Sequence, residues 1–230
     1  MDARFRAALE AYHSDPALAA LLGERFMRRM ETFVSALGVW GEKVNLTARP
    51  NDPSETAFHI VDSLMPLIPL STVFATGKRI LDLGSGAGFP GIVLASACSA
   101  RFTLAEARRK RVSFLKVVAA EMALENVEIL ATRLSAASVT PSFDAVISRA
   151  SGPPAEFYAV AASALVPSGL AILYSSPSQR LDLTAATSAG LSDYHRYRYS
   201  LHRGAADSER IEHILAVWQK PVWKKSGKAS

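Results

Sequence analysis

At 230 residues and 24.7 kDa the chain is long enough for one large domain, or one domain with an appendage, at roughly 150 residues per domain. With 49% hydrophobic and 20% charged residues, 13 Gly and 12 Pro, the composition excludes disordered, collagen-like and low-complexity proteins. Twenty-six Lys and Arg against 21 Asp and Glu leave a net charge of +5, which favours a polyanionic partner such as nucleic acid without establishing one.

The N-terminus, Met1-Asp2-Ala3-Arg4-Phe5-Arg6, is charged but has no apolar run ending in a small-residue cleavage site, so no signal peptide is expected. Ser14-Asp15-Pro16 offers a cap followed by proline at the first helical position. Leu18, Leu22, Phe26, Met30, Phe33 and Leu37 then recur at helical spacing, predicting one amphipathic helix that runs to Gly38. Arg25, Arg28 and Arg29 on its polar side fit a solvated face or phosphate contact.

A second helix is predicted from Asn51-Asp52-Pro53, again cap then proline, to about Leu67, with Glu55 where a capping box would place it. Ala57, Val61, Leu64, Met65 and Ile68 fall on one arc of this helix; His59, Asp62 and Ser63 gather on the other. Those three polar residues are either a solvated, locally hydrogen-bonded group or the wall of a site.

Helical periodicity gives way to strand-like runs near Thr76-Gly77-Lys78, which sets the expected organisation: a helical cap over 1–76, an α/β domain over 77–222 and a basic, frayed tail over 223–230. Apolar strands at Ile80–Leu83, Phe102–Glu106, Val127–Leu130, Phe143–Ile147 and Leu170–Tyr174 alternate with helices near 90–98, 108–123 and 154–165. A short connection takes the place of a helix near 134–142. This alternation predicts a doubly wound, mostly parallel sheet, and Tyr194–Leu201 and Ile211–Gln219 predict an antiparallel hairpin closing it. The uncharged stretch from Phe157 to Gln179 is long enough to span a bilayer, but Pro167-Ser168-Gly169 divides it, so it reads as helix, turn and buried strand, and no membrane association is expected. Cys98 is the single cysteine and no Cys/His cluster has zinc spacing, so a cytoplasmic protein without a metal is expected.

The first of these strands runs into Gly84-Ser85-Gly86-Ala87-Gly88-Phe89-Pro90-Gly91, at the position in a parallel sheet where nucleotides bind. Glycines permit a tight turn and close approach of backbone to ligand, and Glu106 at the end of the next strand is placed to accept hydrogen bonds from ribose hydroxyls. Residues 86–91 satisfy the GxGxxG dinucleotide pattern. Counted from Gly84, however, the third glycine is replaced by Phe89, and Asp82 at the strand's end would repel a pyrophosphate while suiting an ammonium group. S-adenosylmethionine (AdoMet) has that ammonium and no phosphate; NAD, or a glycine turn without ligand, are the alternatives.

The segment Asp82-Leu-Gly-Ser-Gly-Ala-Gly-Phe-Pro-Gly91 resembles the AdoMet motif of the RsmG (GidB) family of bacterial 16S rRNA guanine-N7 methyltransferases. Val44-Asn45-Leu46-Thr47, His59-Ile-Val-Asp62-Ser63-Leu64, Lys110-Arg111-Val112-x-Phe114-Leu115, Glu125-Asn126-Val127-Glu128 and Ser148-Arg149-Ala150 are similar to family segments in order and spacing. The resemblance is strong from Trp40 to Ala150 and weak at the ends. It implies an N-terminal helical cap on a Rossmann-like AdoMet-dependent methyltransferase domain. It also implies action on guanine N7 of 16S rRNA or of the small ribosomal subunit; apart from the resemblance, a monomer is expected.

Carried over by position, the resemblance implies that Gly84 and Phe89 line the cofactor, Glu106 meets the ribose, Leu134 and Ser135 meet the adenine, and Arg149 serves the methionine end and the target base. Asp82, Ser85, Gly86 and Gly88 complete the expected cofactor site. His59 and Asp62 are expected to hold the base edge beside Arg149. Arg133, Arg210, Lys110 and Arg111 are expected to face RNA.

Two positions depart from the family pattern: Phe58 stands where arginine is common, and Leu173-Tyr174-Ser175-Ser176 where Leu-Lys-Gly commonly ends the fifth strand. Guanine N7 has an in-plane lone pair and no proton to lose, so a site that orients the reactants without a general base suffices. Tyr194-His195-Arg196-Tyr197-Arg198-Tyr199 reads as an amphipathic edge strand or as a surface where aromatic rings and cations meet RNA. The alternatives to this function are the same chemistry on a different RNA, a nicotinamide oxidoreductase, and an RNA-binding module without activity.

Overall fold

The structure is a computed structural model that describes residues 3–41, 43–49, 51–149, 152–203 and 210–222; the tail expected over 223–230 lies outside these residues. The chain opens with three helices, α1 (Ala3–Glu10), α2 (Pro16–Leu21) and α3 (Glu24–Gly41). Asp15 starts α2 as its sequence context predicts, its carboxylate accepting the N–H groups of Ala17 and Leu18. The single helix expected to run from this cap to Gly38 is instead two. Leu22 leaves helical geometry with ψ of 37° ahead of Gly23, a residue that costs a helix interior about 1 kcal/mol relative to alanine. Beyond the break α3 continues to Gly41 and buries Phe26, Met27, Met30, Phe33 and Leu37.

Asp52 caps α4 (Pro53–Leu64) through the N–H groups of Ser54 and Glu55, and a 3-10 turn over Met65–Leu67 completes the predicted span. No capping box forms: the Asp52 N–H donates to the Arg49 carbonyl at 3.3 Å, while the Glu55 carboxylate lies 3.3 Å from His59 and 3.1 Å from Arg203. Nor does α4 have a solvated side. Its residues Thr56–Phe58 and Ile60–Leu64 are all buried, because α1, α5 and β6 (ranges below) pack around it. Asp62 and Ser63 are thus interior residues.

The α/β part runs β1 (Arg79–Leu83), α5 (Gly91–Ala97), β2 (Arg101–Ala105), α6 (Arg109–Glu121), β3 (Val127–Leu130), β4 (Phe143–Arg149), α7 (Pro154–Ala164), β5 (Leu165–Ser175), α8 (Leu183–Ser188), β6 (Ser192–His202) and β7 (Arg210–Gln219). Seven strands form one sheet in the order β3-β2-β1-β4-β5-β7-β6. The first five are parallel, and β7 is antiparallel to both β5 and β6. The sheet is therefore the doubly wound, mostly parallel sheet with an antiparallel hairpin that the strand pattern predicted. A 3-10 turn over Ala136–Ser138 fills the short connection between β3 and β4.

Pro167-Ser168-Gly169, read as a turn, lies inside β5. Ser168 has φ of +64°, and the register with β4 jumps from Phe143↔Leu165 to Ala145↔Leu170, which makes the segment a bulge. The short helix α8, capped by Asp182, has no apolar periodicity in Leu-Thr-Ala-Ala-Thr-Ser and was not anticipated.

Strand alternation divides the core. Ile80, Phe102, Leu104, Ile147, Ile172 and Val217 pack under α3 to α6 on one face; Leu81, Val146, Ala171, Leu173, Ala216 and Trp218 pack against α7 and α8 on the other. Among the described residues no helix is long and apolar enough to cross a membrane, and no group of three or more His, Cys, Asp or Glu is placed to hold a metal ion. Sheet order reverses between β1 and β4, so the carboxyl ends of these strands open a crevice at a topological switch point.

Candidate active site

The glycine turn occupies that crevice. Gly84 and Ser85 both donate their N–H groups to the Ala105 carbonyl at 2.9 and 3.1 Å, folding the turn over the end of β2. The Gly88 N–H donates to the Ser85 carbonyl at 2.7 Å, and Gly88 has φ of +91°, where a β-carbon would also come within 2.9 Å of Ile92. At Gly91 a β-carbon would lie 2.3 Å from Leu104 Cδ2 and 2.4 Å from Asp82 Oδ2, so only glycine lets α5 start this close to the sheet.

Asp82 Oδ2 accepts the Gly91 N–H at 3.1 Å, whereas Oδ1 is buried without a hydrogen-bond partner among the described residues. Burial pushes this carboxyl up to about 7.

Glu106, one residue past β2, joins two backbone segments: Oε2 accepts the Gly86 N–H at 3.0 Å and Oε1 the Arg108 N–H at 2.8 Å. In front of it lies a cavity of about 580 Å³. Gly84, Ser85, Gly86, Phe89 and Glu106 form one wall, and Thr132 to Leu134 after β3, with Phe157 and Val160 of α7, form the side where an aromatic base would lie. Leu46 and Thr47 line the cavity as well. Arg111 Nη2 ties that stretch of chain to α6 by donating to the Asn45 carbonyl at 2.8 Å.

AdoMet fits these residues. The turn presents backbone where a side chain would fill the space, and Glu106 spends one lone pair of each oxygen on backbone and keeps the others for hydroxyl donors. Counted from Gly84, where the turn begins, the third glycine of a dinucleotide pattern falls at Phe89, whose ring packs edge-on against Phe33 with centroids 5.1 Å apart.

The opposite rim holds His59 and Arg149. Arg149, at the end of β4, places its guanidinium 4.9 Å over the Phe89 ring and donates through Nη1 to Asp62 Oδ2 at 3.0 Å. Burial, and then the nearby Arg149 charge, lower His59 to about 4, so the ring is neutral at physiological pH and acts as a hydrogen-bonding group. Asp62 is 2% exposed and also accepts the Tyr199 hydroxyl on Oδ1 at 2.6 Å, with His213 Nδ1 3.3 Å from the same oxygen.

Of the residues expected at the site, Gly84, Ser85, Gly86, Phe89, Glu106, Leu134, Arg149 and His59 line the cavity, as do Arg111 and Arg133. Asp82, Gly88, Asp62 and Ser135 do not. Strand alternation turns Asp82 under α5, Gly88 packs on Ile92, Asp62 sits behind Arg149, and Ser135 caps the 3-10 turn after it. Lys110 is exposed on α6 and Arg210 is exposed at the start of β7. Arg133 pairs on the surface with Glu156 at 2.7 Å.

Tyr197 and Tyr199 do alternate with the exposed Arg196 and Arg198, but both rings turn inward onto the core. Phe58 is buried beneath the Arg203 guanidinium, 4.9 Å from its ring, and Tyr174 is buried with its hydroxyl on the Ser63 carbonyl at 2.8 Å. Thr132, Phe157 and Val160 were missed as lining residues, having no motif of their own. Tyr199 and His213 were missed as partners of Asp62, although a histidine on the apolar face of a strand, between Ile211 and Leu215, is a signal for a buried polar contact.

The sheet order and the cavity at its switch point are those of the Rossmann-like fold of AdoMet-dependent methyltransferases. Solved structures with this fold include the tRNA (m1A58) methyltransferase TrmI from Aquifex aeolicus, with a TM-score of 0.55 and 16% identity over 70% of this chain and 69% of that one. Another is a SAM-dependent O-methyltransferase from Thermotoga maritima, with a TM-score of 0.54 and 17% identity over 71% and 66%.

Sequence narrows the class. The family model for GidB, rRNA small subunit methyltransferase G, matches residues 27–204. Ribosomal RNA small subunit methyltransferase G from Anaeromyxobacter sp. (strain Fw109-5) is 37% identical over 216 residues, covering 89% of this chain and 96% of that relative. The Klebsiella pneumoniae protein of the same name is 39% identical over 124 residues, 53% of this chain and 57% of its own. The chain belongs to this GidB family.

Proposed function

We propose that this chain is a cytoplasmic methyltransferase that transfers a methyl group from AdoMet to guanine N7 in the 16S rRNA of the small ribosomal subunit. The observation that carries the reading is the cavity between the Gly84–Gly86 turn and Glu106, closed on its far rim by Arg149 and a neutral His59. When bound, AdoMet supplies a methyl group on a sulfonium sulfur, which keeps the carbon–sulfur bonding pair as the new carbon–nitrogen bond forms.

Each wall has a task. Glu106 receives ribose hydroxyls while its backbone bonds to Gly86 and Arg108 fix the carboxylate in place. Leu134 and Phe157 enclose an adenine ring, and Gly84 and Ser85 let the backbone approach the methionine portion. Asp82 acts on the turn itself, holding Gly91 against the strand end.

Arg149 and His59 face the incoming base. Because N7 brings its own lone pair and gives up no proton, these side chains orient the purine and need not take a proton from it. A neutral His59 also adds no positive charge beside the purine as charge moves from sulfur onto it. The exposed cations Lys110, Arg133 and Arg210, with Arg111 at the cavity wall, extend toward the RNA backbone.

A second reading, the same chemistry on a different RNA, is favoured by one observation: β5 ends in buried Tyr174 and Ser175 and provides no cation there. Small subunits, large subunits and tRNA from a strain lacking this protein, each incubated with the enzyme and labelled AdoMet, separate the two. Label confined to the small subunit supports the first reading, and label in either other RNA overturns it.

A further inference from the structure

Asp62 is a carboxylate in the interior with three polar neighbours, two of which come from the far end of the sheet. Tyr199 of β6 and His213 of β7 are cross-strand partners, stack with centroids 5.6 Å apart at 27°, and converge on Asp62 Oδ1 at 2.6 and 3.3 Å. The other oxygen, Oδ2, receives Arg149 Nη1 at 3.0 Å. Ser63, next on α4, accepts the buried Tyr174 hydroxyl at 2.8 Å, which ties this stretch of α4 to β5 as well. Among the described residues, nothing beyond Val160 lines the cavity, so the hairpin reaches the site through intermediaries: Tyr199 and His213 reach Arg149 through Asp62, while Arg203, just past β6, reaches His59 through Glu55.

A buried carboxylate is costly unless each oxygen is paired. If the Tyr199 hydroxyl is removed, Oδ1 keeps only the longer His213 contact, and the carboxylate is free to rotate and draw Arg149 off the Phe89 ring. We infer that Tyr199 and His213 are positioning residues for methyl transfer: through Asp62 the C-terminal hairpin fixes the direction of the Arg149 guanidinium at the cavity rim. The inference rests on the reading of Arg149 as a residue that faces the target base.

The test is a double-mutant cycle on the intact enzyme, measuring methyl transfer to small subunits and AdoMet affinity in parallel. Tyr199→Phe is expected to lower kcat about tenfold or more with AdoMet Kd changed less than about twofold. In an Arg149→Ala background the same substitution is expected to cost nothing further. Tyr197→Phe, on the same strand face, is expected to leave activity unchanged. His213→Asn, which retains a donor toward Asp62, is expected to keep most of the turnover that His213→Leu loses, and this pair decides the matter if Tyr199→Phe does not fold.

Unchanged kcat in folded Tyr199→Phe, or a loss that persists undiminished in the Arg149→Ala background, overturns the inference; so does equal turnover in the two His213 variants. Unchanged turnover in Arg149→Ala alone is a different failure, that of the role given to Arg149.

Discussion

Gly86 and Glu106 are joined by a hydrogen bond from backbone N–H to Oε2 at 3.0 Å, so the carboxylate that faces the cavity also holds the middle of the glycine turn. A second bond, from Arg108 N–H to Oε1 at 2.8 Å, prevents that carboxylate from turning away. Both oxygens are thereby pre-aimed.

Glu106→Gln is expected to weaken AdoMet binding by about tenfold or more, since an amide loses one acceptor and the charge that makes a hydrogen bond from a hydroxyl worth about 1.5 kcal/mol or more. Isothermal titration calorimetry checks this. Affinity within twofold of the wild type would remove Glu106 from the cofactor site.

Gly91→Ala is expected to destabilise the fold by about 2 kcal/mol or more, because the new methyl must displace either Leu104 or the Asp82 carboxylate from a packed interior. Urea denaturation measures the loss. A change below about 0.5 kcal/mol would contradict the close approach of α5 to the strand end.

Two groups near the site bias stability with pH in opposite directions. Asp82 rises from its ordinary 3.8 to about 7 on folding, so the folded state holds this proton more tightly and stability falls as pH climbs across that interval. His59 drops from 6.5 to about 4, so the unfolded chain binds the proton more tightly and stability falls as pH descends across that interval. The two slopes oppose each other over the shared range. Relative to the wild type, Asp82→Asn is expected to gain stability as pH rises from about 4 to about 7, and His59→Gln to lose it. Denaturation midpoints across that range check the sign of each difference, and a reversed sign in either variant contradicts the burial of that group.

The exposed cations predict strong salt dependence of RNA binding. Replacing Lys110, exposed on α6, with alanine is expected to weaken binding to all RNA sequences alike and to reduce the slope of log affinity against log salt by roughly one. A slope equal to that of the wild type removes Lys110 from the contact surface.

Strand order, the hairpin and the glycine turn were legible because each depends on local signals: apolar runs of strand length, helices between them, and glycines directly after a strand. The break at Leu22-Gly23 was not, because apolar spacing continues across it and only the backbone departs from helical geometry. The polar arc of α4 reads as a solvated group or a site wall, whereas in the fold only His59 lines the cavity, and Ser63 and Asp62 are interior. Its partners Tyr199 and His213 lie 137 residues from Asp62 in the first case and further in the second, and no local pattern brings them together. Asp82 likewise reads as a ligand at a strand end, while strand alternation sends its side chain beneath α5 and leaves the cavity wall to Leu83 and Gly84.

The most direct test of the account is the identity of the methylated nucleoside. Small subunits from a strain lacking this protein are incubated with the enzyme and labelled AdoMet, and the RNA is digested to nucleosides. Label is expected in 7-methylguanosine alone. Label in any other nucleoside, or no label from enzyme that still binds AdoMet, would contradict it.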